Sequence, residues 1–128
     1  MRRRATVFSS ASALRRFSRS TICRMNFFGS RRRLARFCSY GDFFFCHAGI
    51  RPGRPLEDQD PDDLIWIRGE FHRWPRLYDK VVVHGHTPHS EPEVLANRVN
   101  VDTGAWQTGV LTALAVDGQD KRILQVEG

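Results

Sequence analysis

A chain of 128 residues has room for one domain with a modest core, and its formal charge of +6 is divided unevenly. Residues 1–41 carry 11 Arg and no Asp, Glu or Lys, whereas the remainder carries 9 basic and 14 acidic residues. The body is therefore acidic, which makes it an unsuitable nucleic-acid binder, and no run approaches the roughly 18 apolar residues of a membrane span.

In chain order, the first unit is the Arg/Ser-rich segment 1–40. It lacks acidic residues and shows no sustained apolar period, a composition expected of disorder, not of a packed domain. Other readings stay open. A transit peptide has this composition. A misplaced start or shifted frame would also yield it. A nucleic-acid arm would set its arginines against phosphates and Phe8, Phe17, Phe27, Phe28 and Phe37 against bases. A secretory signal fits poorly, because serines and Thr6 dilute the apolar stretch before Ala13.

The second unit, 41–128, begins with Phe43 to Cys46, a continuous apolar run of the kind found in a strand covered on both faces. Arg51-Pro-Gly-Arg-Pro55 forces a loop. Asp60-Pro-Asp-Asp63 has the chemistry of a helix start, with Leu64, Ile67 and Phe71 on one helical face and Trp74-Pro75 as its end. Val81 to Val83, Arg98 to Val101, Leu111 to Val116 and Arg122 to Val126 predict four further strands, the last two joined at Asp117-Gly-Gln-Asp120 as a hairpin. One helix followed by clustered strands makes an α/β body. The three cysteines, Cys23, Cys38 and Cys46, form no CxxC pair; they imply neither a disulfide framework nor a zinc cage, and suit a reducing, cytoplasmic setting. Cys46, inside the apolar run, reads as a buried thiol.

Two histidines stand where an apolar strand gives way to a tight turn: His47, before Ala-Gly, and His86, in Gly-His-Thr-Pro. Either histidine alone is more simply a core residue bonded to backbone, but the two together suit a transition metal, because a strand end delivers imidazole rigidly. His84 shares a face with His86 only if its strand runs through Gly85. His72 and His89 read as surface residues without a role. Arg68, within the apolar Leu64-Ile-Trp-Ile-Arg68, either grips an anion such as phosphate or pairs with a carboxylate such as Glu70. Asp102, beside Thr-Gly, either orients a ligand histidine or caps its turn.

The series Tyr40-Gly-Asp-Phe-Phe-Phe-Cys-His47-Ala-Gly, Asp63-Leu-Ile-Trp-Ile-Arg68, Val82-Val-His-Gly-His86-Thr-Pro and Val101-Asp-Thr-Gly-Ala105 resembles bacterial serine/threonine protein phosphatases. These belong to the calcineurin-like metallophosphoesterases, as do the related diadenosine tetraphosphatases. The resemblance runs from residue 40 to about 117 and implies a dinuclear site of manganese, iron or zinc. It makes His47 and His86 metal ligands and Arg68 the group that holds substrate phosphate. The family's earlier motifs, Gly-Asp-x-His-Gly, Gly-Asp-x-x-Asp-Arg-Gly and Gly-Asn-His-Glu, do not occur here. The resemblance therefore assigns no catalytic acid to this chain and implies an incomplete C-terminal half of a metallophosphoesterase α/β sandwich. Its strands Phe43 to Cys46 and Val81 to Val83 are expected to be partly uncovered.

The functional expectation is a fragment of a phosphoesterase that hydrolyses phosphoserine or phosphothreonine with a metal-activated water, inactive as this isolated chain. The alternatives are a diadenosine tetraphosphatase-like hydrolase, or a non-catalytic remnant with a basic nucleic-acid-binding arm. The expected partner is a phosphoprotein or a phosphorylated small molecule, without membrane.

Overall fold

The computed structural model describes residues 6–9 and 36–128. Its main sheet has five strands: β2 (Phe37–Tyr40), β3 (Phe43–Cys46), β4 (Val81–His84), β5 (Glu93–Val94) and β6 (Arg98–Asn100), in the order β2-β3-β4-β6-β5. A second, antiparallel sheet is formed by β1 (Thr6–Ser9), β7 (Val110–Asp117) and β8 (Asp120–Glu127), in the order β1-β7-β8. Three one-turn helices, α1 (Asp63–Trp66), α2 (Gly69–His72) and α3 (Ala105–Thr108), and a short 3-10 turn (Leu56–Asp58) complete the described elements. No helix among the described residues is long and apolar enough to cross a membrane.

In the middle of the main sheet, β3, β4 and β6 run parallel, while β2 and β5 pair antiparallel at its edges. Parallel strands need both faces covered, and successive side chains leave opposite faces. One face of the sheet sends Phe43, Phe45, Val83 and Val99 against Leu114 and Val116 of β7. The other sends Phe44, Cys46 and Val82 against Ile50, Leu64, Ile67 and Phe71. Phe43 to Cys46 are each at most 1% exposed and Val82 and Val83 are fully buried, so of the partial uncovering expected of these strands only the half-buried Val81 remains. The layer containing β7 and the α1–α2 segment close the two faces between them.

The structure differs from the sequence reading at two further places. The main sheet begins at Phe37, inside the segment bounded at residue 40, because Phe37 stacks on Phe44 at 5.1 Å and β2 pairs residue by residue with β3. Thr6–Ser9, also inside that segment, is a strand paired with β7; residues 1–5 and 10–35, with most of the targeting and nucleic-acid readings, lie outside the described residues. Second, the single helix expected from Asp60 to Trp74 is two separate turns. Ile67 is extended (φ −59°, ψ 143°), Arg68 is non-helical and Gly69, a poor helix former, restarts the coil. Leu64, Ile67 and Phe71 are all buried nonetheless. The cap position of α1 is Asp62, without a side-chain cap bond; Asp60, expected as the cap, instead accepts the Asp62 N–H at 2.8 Å in the turn before the helix.

Candidate functional site

Parallel pairing gathers the site. The β3–β4 register sets Phe45 opposite Val83, and the β4–β6 register sets His84 opposite Asn100. The residues just past each strand, His47, His86 and Asp102, are therefore delivered to one edge of the sheet. This is the carboxyl edge, where open α/β sheets carry their sites. The loops are tied there by backbone: Gly85 N–H donates to the His47 carbonyl at 2.8 Å, and Val101 N–H to the His84 carbonyl at 3.0 Å. A Cβ on Gly85 would stand 3.2 Å from Asp102 Cβ, so the absence of a side chain lets the loops approach.

His47 Nε2 and His86 Nδ1 lie 3.0 Å apart, with ring centroids at 4.8 Å. His86 is the one described non-glycine residue with positive φ, +67°. A left-handed histidine costs on the order of 1–2 kcal/mol, a strain that the surrounding loop maintains and that is typical of functional positions. This turn also takes His86 out of the strand alternation. His84, still in β4, points into the core against the Phe71 ring at 4.8 Å, and so does not share the face of His86.

Arg68 reaches the same place from the break between α1 and α2. Its Nε donates to His86 Nε2 at 3.3 Å. The pairing with Glu70 considered from the sequence is not made. Glu70 instead joins Asp63 around the Arg51 guanidinium, and among the described residues no carboxylate pairs with Arg68. Asp102 caps its own turn, with Oδ1 accepting the Gly104 N–H at 3.0 Å, while its charge also acts on both histidines. Trp66 went unnoticed in the sequence. It is 65% exposed and meets the His86 ring edge-on at 5.5 Å, and only the fold could show that an exposed indole stands at the site.

Burial lowers the pKa of His47, as does the neighbouring His86, against an opposing pull from Asp102. Burial and then the Arg68 charge lower that of His86. Both shifts favour the neutral ring, the form in which imidazole ligates a metal. Two imidazole nitrogens bound at about 2.0–2.1 Å to one ion, at right angles, lie about 3 Å apart. The observed separation fits a single divalent ion held by His47 Nε2 and His86 Nδ1. Among the described residues this edge supplies two imidazoles and one nearby carboxylate, which fits one ion better than a pair.

No family model matches the sequence. The chain is 39% identical over 88 residues to the asymmetrical bis(5'-nucleosyl)-tetraphosphatase PrpE of Anoxybacillus flavithermus, with 58% of this chain and 36% of that protein covered. Against the protein of the same name from Bacillus thuringiensis it is 39% identical over 85 residues, covering 54% and 34%. The chain thus spans about a third of the length of the curated relatives it matches. A solved structure of a candidate diadenosine tetraphosphatase superposes with a TM-score of 0.56 at 21% identity, covering 69% of this chain and 47% of that one. In fold, the described body is a mixed α/β arrangement like part of that solved structure, and in sequence it is similar to about a third of these two tetraphosphatases.

Proposed function

We propose that this body supplies one half of a metal-dependent phosphoesterase site for a dinucleotide polyphosphate of the diadenosine tetraphosphate class. The observation that carries the reading is the convergence of His47, His86 and Arg68, with nitrogen contacts of 3.0 and 3.3 Å. In it, His47 Nε2 and His86 Nδ1 hold a divalent ion. When bound, manganese, iron or zinc supplies Lewis acidity toward a phosphoryl oxygen and lowers the pKa of adjacent water. Arg68, exposed and without a carboxylate partner among the described residues, turns its guanidinium from His86 to the phosphate oxygens. Trp66 favours a nucleotide over a phosphoprotein, because a flat, exposed indole beside the phosphate position offers a base a stacking surface worth about 1–3 kcal/mol. The relatives, named as asymmetrical bis(5'-nucleosyl)-tetraphosphatases, point the same way.

The test uses the full chain, with manganese, against diadenosine tetraphosphate and against a phosphoserine peptide, following both binding and release of unequal nucleotides. Manganese-dependent binding of the dinucleotide is expected, abolished by His86→Ala and weakened by Arg68→Ala. Trp66→Ala should weaken the dinucleotide about 5- to 100-fold while leaving inorganic phosphate unaffected. Preference for the phosphopeptide would move the substrate class to phosphoproteins, the second reading. Binding that ignores manganese and survives His86→Ala would remove the proposed site altogether.

A further inference from the structure

Three side chains that play no part in the site above meet a short way along the sheet. His72 ends α2, His89 lies in the loop after β4, and Glu93 opens β5. Their ligand-type atoms all lie within 4.8 Å of one another. The His72 and His89 rings are nearly parallel, 27° apart, with centroids at 6.2 Å. His72 Nε2 is buried and has no hydrogen-bond partner among the described residues. A buried polar atom left in that state is costly unless something satisfies it.

The backbone around each residue is anchored. His72 N–H donates to the Arg68 carbonyl at 3.0 Å, His89 N–H to the Asp102 carbonyl at 3.0 Å, and Glu93 is paired in register with Asn100. Glu93 Oε1 holds the Arg98 guanidinium at 3.0 Å, and Arg98 in turn donates to the His72 carbonyl at 2.7 Å. A carboxylate has lone pairs on two oxygens, so the second remains to accept another cation. The Arg98 charge weakens any such ion's hold, but it also fixes the carboxylate and the α2 terminus in place.

We propose that His72, His89 and Glu93 form a second cation site, for zinc or a similar first-row divalent ion, separate from the His47–His86 pair. Two imidazoles and one carboxylate are the donor set such ions favour, and three protein ligands leave a coordination position open. The four ligating imidazoles and the carboxylate belong to two sets that share no residue. The second site therefore stands or falls independently of the phosphoesterase reading.

The test titrates cobalt(II), as a visible-absorption reporter, into the chelator-treated full chain and then displaces it with zinc. In a His86→Ala background, which disables the first pair, one equivalent of ion should still bind. Adding His89→Ala should weaken that binding more than about 100-fold, beyond the roughly 10- to 100-fold that loss of an outer partner alone brings. His89 is exposed, so its replacement leaves the fold intact, as circular dichroism would confirm. Glu93→Gln should act in the same direction. If it unfolds the chain by freeing Arg98, His89→Ala alone decides. Unchanged affinity in His89→Ala, or no ion bound in the His86→Ala parent, would overturn the proposal.

Discussion

Replacing Phe71 with alanine should destabilise the fold by about 3–5 kcal/mol, the cost of emptying a large, fully buried aromatic position. Phe71 is 0% exposed, stacks on Tyr78 at 5.9 Å, supports His84 edge-on at 4.8 Å, and lies beneath the Arg98 guanidinium at 5.8 Å. It also fills the space against Gly49, two residues after His47. A Cβ on Gly49 would sit 2.4 Å from the Phe71 ring, and the Gly49 φ of +151° is one that side-chain-bearing residues avoid. Gly49→Ala alone should therefore cost roughly 2–4 kcal/mol, from overpacking and backbone strain together. The two effects are coupled. With Phe71 already alanine the clash vanishes, and Gly49→Ala should cost only its backbone part. Urea unfolding of the two single variants and the double variant gives the coupling energy, expected at about 1–3 kcal/mol. A Gly49→Ala penalty of equal size in both backgrounds would rule out the ring as its cause.

This packing explains what the sequence could and could not reveal. Phe43 to Cys46 and Val81 to Val83 were legible as strands because a strand buried on both faces must be apolar at every position. The terminal hairpin was legible from Asp117-Gly-Gln-Asp120, though its strands run a residue or two further than their apolar cores. The break between α1 and α2 was not. Hydrophobic spacing reports which side chains face the core, and Leu64, Ile67 and Phe71 do; it is silent on whether the hydrogen bonds between them are continuous. At Ile67 and Arg68 they are not, and that interruption is what carries Arg68 to His86. The meeting of His47 and His86, 39 residues apart, depends on parallel register, which periodicity does not encode; their matching strand-end positions suggested a shared site, and the motif resemblance implied the same pair as metal ligands. Asp102 was ambiguous because both readings describe it: its oxygen caps a turn while its charge reaches the histidines. His72, His89 and Glu93 had no signal at all, since no motif joins them and each is an ordinary surface residue type. β2 was hidden by composition, its four residues lying at the end of an arginine-rich segment.

The fold should also lose stability steadily as pH falls from about 6.5 toward 3, with His84 a principal cause. Its imidazole is fully buried, Nδ1 contacts the Gly85 carbonyl at 3.2 Å, and Nε2 has no partner among the described residues. Burial pushes its pKa down to about 3. The groups that face it, His72 from α2, Arg98 from β6 and His89 from the following loop, add to that shift, and the Gly85 carbonyl opposes it only in part. In the unfolded chain the same imidazole titrates near 6.5. Between these values the unfolded state binds a proton that the native state refuses, so unfolding becomes easier as acidity rises. Above pH 6.5 neither state is protonated there, and this contribution to stability is fully present. Below it, each pH unit removes up to about 1.4 kcal/mol until the native ring can itself be protonated near pH 3. His84→Leu, of similar size and without a titrating group, should flatten the dependence of the urea midpoint on pH across this window. The comparison is made in chelator, so that no cation on neighbouring histidines contributes. Carboxylates also titrate toward the acid end, so the informative interval is pH 6.5 to 5, where they remain largely ionised. A His84→Leu profile parallel to that of the parent in this interval would mean that the buried ring is not what acid attacks.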